Sequence, residues 1–413
     1  MRNRFSRRSF INSFSAILPA FGFERSMSAS GLLLIGNFLT NCKGRSLSKE
    51  DKKTFTDKAL GCFMGSAIGD SMGGPVECQH YLRIRKYAGD FHDLLSFGKP
   101  VSVFEPPEDG WAQRPDPGTI TDDTYIRMDL QKFFIHTEPP YTAEKLANYL
   151  LENSTFFGWW EVPLNHLKRI KNNEFPAKDA GHFMEIQGGG GGWWQPLSIM
   201  HAGNTRKAYE VASELCSIWK TGLAKDILSA VVAGQSAAFK NGASIDSVVN
   251  TILDFSGDKA RRLFERAVNI ALESESADKL YENLYTLASV ANSTHAGDYN
   301  SLEVALPPVE QIKFTEEMCS SIAFAEQQPW ALAYLVYGKG DPEKTLLTAV
   351  KGGRDADSIA TNTAAWLGAL YGLSVWPEKW INAVQRANLV DFDLMKLGEE
   401  LADKALRQGF VQL

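Results

Sequence analysis

Residues 59–77 read ALGCFMGSAIGDSMGGPVE, and the fold turns on how this stretch is read. Leu60, Phe63, Met64, Ala67 and Ile68 recur at spacings of three and four, the period of a helix face that seeks a core. Gly61, Gly65 and Gly69 fall four apart and form a smooth ridge, along which a second helix can approach closely. Gly73-Gly74-Pro75 supplies the stop, so the helix is expected to end just before Glu77. Asp70 falls in the last turn, where a carboxylate opposes the helix dipole, and a specific partner is expected for it.

Outward from this stretch the pattern stays helical. Residues 84–118 contain Pro100, Pro106, Pro107, Pro115 and Pro117 with no sustained period, which predicts a long loop of the functional kind. Thr121 opens a helix carrying Tyr125, Met128, Leu130, Phe133 and Phe134. Further helices are predicted at about 143–151, 205–219, 224–240, 245–255 and 259–272, and the remainder continues in kind. Alternating strand-like runs are hard to find, so the chain is expected to be all-α. Two interruptions are expected, at Gly188–Gly192 with the following Trp193-Trp194-Gln195-Pro196, and at 293–300; no fixed-period repeat supports a solenoid.

The formal net charge of −6 argues against nucleic acid as a partner and for a small ligand. The N-terminus departs from that average. Arg2, Arg4, Arg7 and Arg8 precede the first acid, Glu24, and apolar stretches follow at 10–23 and 31–39, a targeting pattern. Ser6-Arg7-Arg8-Ser9-Phe10-Ile11 resembles a twin-arginine export signal. Neither apolar stretch reaches the roughly 20 residues of a membrane span, so cleavage is expected rather than a permanent anchor. Leu39-Thr40-Asn41-Cys42 resembles a loose lipoprotein box with an unusual Asn before the Cys. Cys42 therefore reads either as a lipid anchor, the one expected membrane attachment, or as an ordinary thiol. The expected organisation is an export segment over 1–42, of twin-arginine type with the lipoprotein alternative at Cys42, and a single all-α domain over 43–413. The expected location is periplasmic or outer-surface. Loss of residues 1–41 removes five Arg and one Glu and takes the net charge from −6 to about −10. The five Cys lie far apart, without zinc or disulfide spacing, and Cys62 and Cys216 read as small core residues.

Two acidic clusters each stand at a predicted helix start: Thr121-Asp122-Asp123-Thr124 and Asp355-Ala356-Asp357-Ser358. Helix capping explains one carboxylate or hydroxyl at each place. It explains poorly why each cluster brings two carboxylates beside a hydroxyl. Neighbours on a helix diverge by about 100°, so Asp122 and Asp123 suit two adjacent ions better than one. All-oxygen ligation fits Mg²⁺ or Mn²⁺, and a pair of such ions forms a hydrolytic centre.

Gly61-x3-Gly65-x3-Gly69-Asp70-x2-Gly73-x-Pro75-x-Glu77, then Thr121-Asp122-Asp123-Thr124, then Gly352-Gly353-Arg354-Asp355-Ala356-Asp357-Ser358-Ile359-Ala360 occur in one order. In order and spacing they resemble the motifs of the ADP-ribosylglycohydrolase family, which includes the dinitrogenase reductase activating glycohydrolase. The resemblance spans about 52–372 and is weak in the middle third. It implies a compact orthogonal multi-helix bundle with two Mg²⁺ or Mn²⁺ ions. Thr121, Asp122 and Asp123 fall on the family's first ligand set and Asp355, Asp357 and Ser358 on its second, with Ser358 where Thr is common. Glu77 falls on a loop glutamate with a proposed catalytic role; Glu77, Asp122 and Asp357 are thus the expected catalytic residues. The implied substrate is a small-molecule or protein-linked ADP-ribosyl group. Its cleavage builds an oxocarbenium-like centre and needs an activated water and a proton for the leaving group.

In the middle of the chain, family members often carry Asn-Gly-Ala-Ala-Met-Arg before Pro-Leu. Here Gly188 stands at the Asn position and Trp193 at the Arg position. Gly188, Gly189, Gly190 and Trp193 are the candidate substrate residues. The glycine run reads equally as a set of N–H donors for a pyrophosphate or as a flexible connection. Trp159, Trp160, Trp193 and Trp194 offer stacking surfaces or, more commonly, core aromatics. His166, His182 and His201 lack ligand spacing and read as loop or surface residues. Two alternatives fit the same sequence: a hydrolase of another exported glycoside or nucleoside, and a non-catalytic relative that is crystallin-like or merely binds ligand. If the N-terminus is a twin-arginine signal, replacing Arg7 and Arg8 together by Lys retains the protein in the cytoplasm; unchanged delivery in a fractionation assay refutes the assignment.

Overall fold

Ser48 starts the first long helix, α1 (Lys49–Gly73), through a reciprocal box: its hydroxyl accepts from the Asp51 N–H at 3.0 Å, and its own N–H donates to the Asp51 carboxylate at 3.0 Å. The computed structural model describes residues 47–108, 112–184, 190–293 and 327–413, with the backbone alone at 289–293. Every residue from Ala59 to Gly73 is buried, the mark of a helix surrounded on all sides. The helix stops where the glycines and Pro75 predict. A 3₁₀ turn (Gly74–Val76) follows and delivers Glu77 to strand β1 (Gln79–His80).

Next comes α2 (Tyr81–Ala88), where the ring Nδ1 of His80 accepts from the Leu82 N–H at 3.1 Å as the cap. The loop predicted from residue 84 therefore begins later, after Ala88. Only Tyr81 and Ile84 are buried in this short helix, and its Arg83, Arg85 and Lys86 hide the period. The remaining elements are α3 (Asp122–His136), α4 (Ala143–Asn153), α5 (Glu161–Lys171), α6 (Gln195–Met200), α7 (Thr205–Leu215), α8 (Gly222–Ala238), α9 (Ile245–Phe255), α10 (Asp258–Glu273), α11 (Ala277–Ser293), α12 (Gln327–Gly338), α13 (Pro342–Lys351), β2 (Gly353–Arg354), α14 (Ala356–Tyr371), α15 (Glu378–Asn388) and α16 (Leu394–Gln408). Sheet among the described residues is the two-residue antiparallel pair β1–β2, with Gln79 opposite Arg354 and His80 opposite Gly353. The all-α expectation holds. No described helix is long and apolar enough to cross a membrane.

The core is built on α1 against α14, whose residues Ala356 to Leu370 are all buried. The glycine ridge makes the contact. A methyl at Gly73 would lie 2.5 Å from the Ala356 carbonyl, one at Gly69 2.4 Å from the Ala360 oxygen, and one at Gly61 2.3 Å from the Gly372 carbonyl carbon. The end of α1 thus meets the start of α14 and the two run antiparallel, with backbone on backbone.

Cys62 and Cys216 are fully buried, as expected, and burial pushes the Cys62 thiol up to about 12. The histidine reading holds in part: His201 lies in a turn and His182 is exposed, while His166 sits within α5. His166 and His201 lie in the core, stacked on Phe175 at 5.1 Å and on Phe410 at 5.0 Å, and burial lowers the pKa of both; only His182 is exposed. Aromatic faces cover these rings, a tertiary effect that spacing does not encode. The expected export segment 1–42, with Arg7, Arg8 and Cys42, lies outside the described residues, as do Gly188, Gly189 and most of the loop at 293–300.

Gly69→Ala forces a methyl against the Ala360 backbone and is expected to destabilise the fold by about 1–3 kcal/mol. Urea unfolding checks this against Lys53→Ala, an exposed change on the same helix; equal midpoints contradict the seam.

Candidate active site

The starts of α3 and α14 meet at the end of α1, and the meeting point is acidic. Asp70 is fully buried and accepts from the Thr121 N–H at 3.1 Å, from the Thr121 hydroxyl at 2.5 Å and from the Thr124 hydroxyl. This is the partner its dipole-opposed position called for. Burial pushes the Asp70 carboxyl up, while these bonds and the nearby Arg127 charge pull the other way. The Thr121 oxygen also lies 3.2 Å from Asp357 Oδ2 and 3.4 Å from the Asp123 N–H that it caps. A hydroxyl has a single proton, and the shorter bond to Asp70 takes it. The Asp357 contact is then a bond only when Asp357 carries the proton.

The second cluster closes over the first. Glu77, Asp355 and Asp357, all buried, each offer a carboxylate oxygen within 4.8 Å of the others. Glu77 and Asp355 come from distant segments clipped together by β1–β2: the Cys78 N–H donates to the Arg354 carbonyl at 2.7 Å. Cys78 (φ +60°) and Arg354 (φ +63°) both adopt the left-handed region that non-glycine residues avoid. Strain of this kind persists where surrounding structure dictates it, and here the two residues immediately flank Glu77 and Asp355.

Capping accounts for Thr121 and not for Asp355. Asp355 is the N-cap of α14, yet its side chain makes no capping bond and instead accepts from the Gln327 amide nitrogen. Asp357 Oδ1 accepts from the Ser358 N–H at 2.8 Å. The Ser358 hydroxyl donates to Asp123 Oδ2 at 2.5 Å, and the Trp193 indole N–H donates to Asp123 Oδ1 at 2.6 Å. Of the six residues picked as ligands, five thus share one hydrogen-bonded or close-packed group with Glu77. Asp122 follows Thr121 at the helix start and keeps partial solvent exposure.

The electrostatics follow from this crowding. Burial first, then the neighbouring carboxylates, raise Asp122, Asp123 and Asp357, with Asp123 pushed up to about 7. A buried like-charged oxygen set of this kind takes up protons or a hard cation. The donor set suits Mg²⁺ or Mn²⁺: Glu77, Asp355 and Asp357 offer oxygens, and no His or Cys belongs to the group.

The glycine run is described from Gly190 on. Gly190 (φ +69°) enters a 3₁₀ turn, Gly191–Trp193, packed hard onto the cluster. A methyl at Gly192 would lie 2.9 Å from Asp123 Oδ2, and one at Gly191 would lie 1.4 Å from the Gln328 amide nitrogen. The Gly191 N–H donates to Gln327 Oε1 at 3.1 Å, so this donor is already engaged. Trp193 is 3% exposed and edge-on to Trp219 at 5.8 Å, so its indole face is covered and its N–H holds Asp123. Two residues near the cluster carry no sequence signal. Gln327 lies two residues before Pro329 and reads as an ordinary helix start. Lys220 is buried, which lowers its amine to about 7, while Cys216 and Asp355 oppose that shift.

Among known proteins, the chain is 25% identical over 348 residues to an uncharacterised protein of Archaeoglobus fulgidus, covering 83% of this chain and 96% of that one. It is 20% identical over 352 residues to the uncharacterised Escherichia coli K12 protein YegU, covering 82% and 95%. A solved structure described as an ADP-ribosylglycohydrolase-related protein complex superposes with a TM-score of 0.56 at 18% identity, covering 86% of this chain and 99% of that one. That likeness speaks for the fold alone. Residues 51–410 match the ADP-ribosylglycohydrolase family, and with a match over most of its length this chain belongs to that family.

Proposed function

We propose that the protein hydrolyses a glycosidic bond to ADP-ribose, or to a related ribosyl group, at a centre of two Mg²⁺ or Mn²⁺ ions held by Thr121, Asp122, Asp123, Asp355, Asp357 and Ser358. The observation that carries this reading is the convergence of Glu77, Asp355 and Asp357 within 4.8 Å, in a chain of the ADP-ribosylglycohydrolase family. Bound there, divalent cations supply Lewis-acid polarisation and a means of gripping vicinal ribose hydroxyls. The protein's own groups do the rest. Glu77 accepts a proton at its carboxylate from the water that attacks ribosyl C1, the C1 bond to nitrogen or oxygen breaks with its electron pair leaving on that atom, and the leaving group takes up a proton from solvent, to which Glu77 returns its own. Asp122 is the one of the six that is only half-buried. Asp70, with Thr121 and Thr124, fixes the ligand loop without touching substrate. The twin-arginine-like segment supports action outside the cytoplasm, on small or protein-linked ADP-ribosyl compounds.

The test is release of ADP-ribose from modified proteins or small conjugates with Mg²⁺ or Mn²⁺. Asp122→Ala and Asp357→Ala are each expected to lower kcat/KM about a hundredfold or more. Turnover unchanged by both substitutions, or by chelation, overturns the reading.

The raised carboxyls add a pH dependence. Below about pH 7 Asp123 carries a proton that a cation must displace, so Mn²⁺ affinity is expected to climb as pH rises through 7, with proton release on binding. Titration calorimetry in buffers of different ionisation enthalpy reads both. The metal-free protein should show the reverse trend in stability. Its folded pKa lies above the unfolded value of about 3.9, so the folded state binds more protons and loses stability between about pH 4 and 7. Melting of chelator-treated protein at pH 5.5 and 8 checks the sign, and a metal-free form more stable at pH 8 contradicts it.

A further inference from the structure

Gln327 is 2% exposed and makes three amide contacts at the edge of the acidic cluster. Its Oε1 accepts from the Gly191 N–H at 3.1 Å and from the Gln328 amide at 3.1 Å, and its Nε2 donates to Asp355 Oδ2. The orientation follows from chemistry. A backbone N–H can only donate, so the Gln327 oxygen must face Gly191 and its NH₂ must face Asp355. An amide donor fixed on one carboxylate oxygen sets the rotation of that carboxylate and would leave the other oxygen to hold a cation.

The other end of this bridge is equally constrained. A Cβ at Gly191 would lie 1.4 Å from Gln328 Nε2 and 3.1 Å from Gln327 Oε1, so the turn and the two glutamines occupy one packed volume. Gly192 abuts Asp123 Oδ2, and Trp193 donates to Asp123 Oδ1. The same four-residue segment therefore touches Asp123 directly and Asp355 through Gln327. These aspartates belong to the two separate ligand sets.

We propose that Gln327 is a positioning residue for the metal centre, coupling the Gly190–Trp193 turn to the orientation of Asp355. This inference rests on the metal-centre reading above and adds to it a residue outside the ligand motifs. Partners that orient metal ligands typically change affinity by about 10- to 100-fold when removed. Gln327→Leu keeps the bulk and loses the bonds. Gly191→Ala leaves every ligand intact and displaces the glutamines.

The experiment measures Mn²⁺ binding to the full-length protein by calorimetry and by electron paramagnetic resonance, with melting curves to verify folding. Gln327→Leu is expected to weaken Mn²⁺ about tenfold or more and to alter the bound-Mn²⁺ spectrum. Gly191→Ala should act in the same direction, and the double variant should bind no worse than the weaker single one, since both break one bridge. Gln327→Asn, which keeps the amide but shortens its reach, stands in if the leucine variant fails to fold. Wild-type affinity and spectrum in a folded Gln327 variant overturn the inference alone, as do additive losses in the double variant. Absence of Mn²⁺ binding in the wild type overturns both it and the metal-centre reading, whereas loss of binding in Asp357→Ala together with unchanged Gln327→Leu sinks only the coupling.

Discussion

Backbone-to-backbone contact between α1 and α14 is the constraint on which the rest of the structure depends. At Gly61, Gly69 and Gly73 there is no room for a side chain between the two helices. This closeness places Asp70, at the end of α1, beside Asp357, in the first turn of α14, with the Thr121 hydroxyl between them. A wider helix separation would leave the two carboxylates apart and the threonine bridging nothing. The packing of the core and the geometry of the acidic centre are therefore set by one seam.

The site concentrates negative charge that a protein interior resists. Two helix N-termini, those of α3 and α14, meet there and partly offset the charge through their dipoles. Arg127 contributes a buried positive charge behind Asp70. Neither compensation is complete, since Asp122, Asp123 and Asp357 all remain raised. An acidic cluster left in this condition is poised for cations, and the strained Cys78 and Arg354 beside it indicate that the arrangement is imposed by the surrounding fold.

Much of this was legible in the sequence because it is local. The three-and-four spacing of Leu60 to Ile68, the glycine ridge and the Gly73-Gly74-Pro75 stop each act within a few residues, and the structure bears them out. Thr121 was readable as a cap for the same reason. What escaped depends on contacts across the chain. The burial of His166 and His201 comes from rings supplied by Phe175 and Phe410. Trp193 reads in sequence as a stacking surface or, more commonly, a core aromatic; its burial bears out the second, and only the folded chain shows its N–H on Asp123. Gln327 has no motif at all, because an amide that bonds a carboxylate 28 residues away obeys no local spacing. The helix at 81–88 was hidden by a short, charge-rich period.

The seam has a bearing on biosynthesis. α1 comes from the beginning of the compact unit Ser48–Leu413 and α14 from near its end, so the helix most in need of cover is made long before its partner. Until residues 356–371 leave the ribosome, the apolar and glycine faces of α1 have nothing to close against, and non-local closure of this kind is slow and exposed to aggregation. Truncated chains lacking α14 therefore hold neither a closed core nor a complete acidic centre. A partly folded chain holds no complete acidic centre, because the step that completes the fold also brings Asp355 and Asp357 into place.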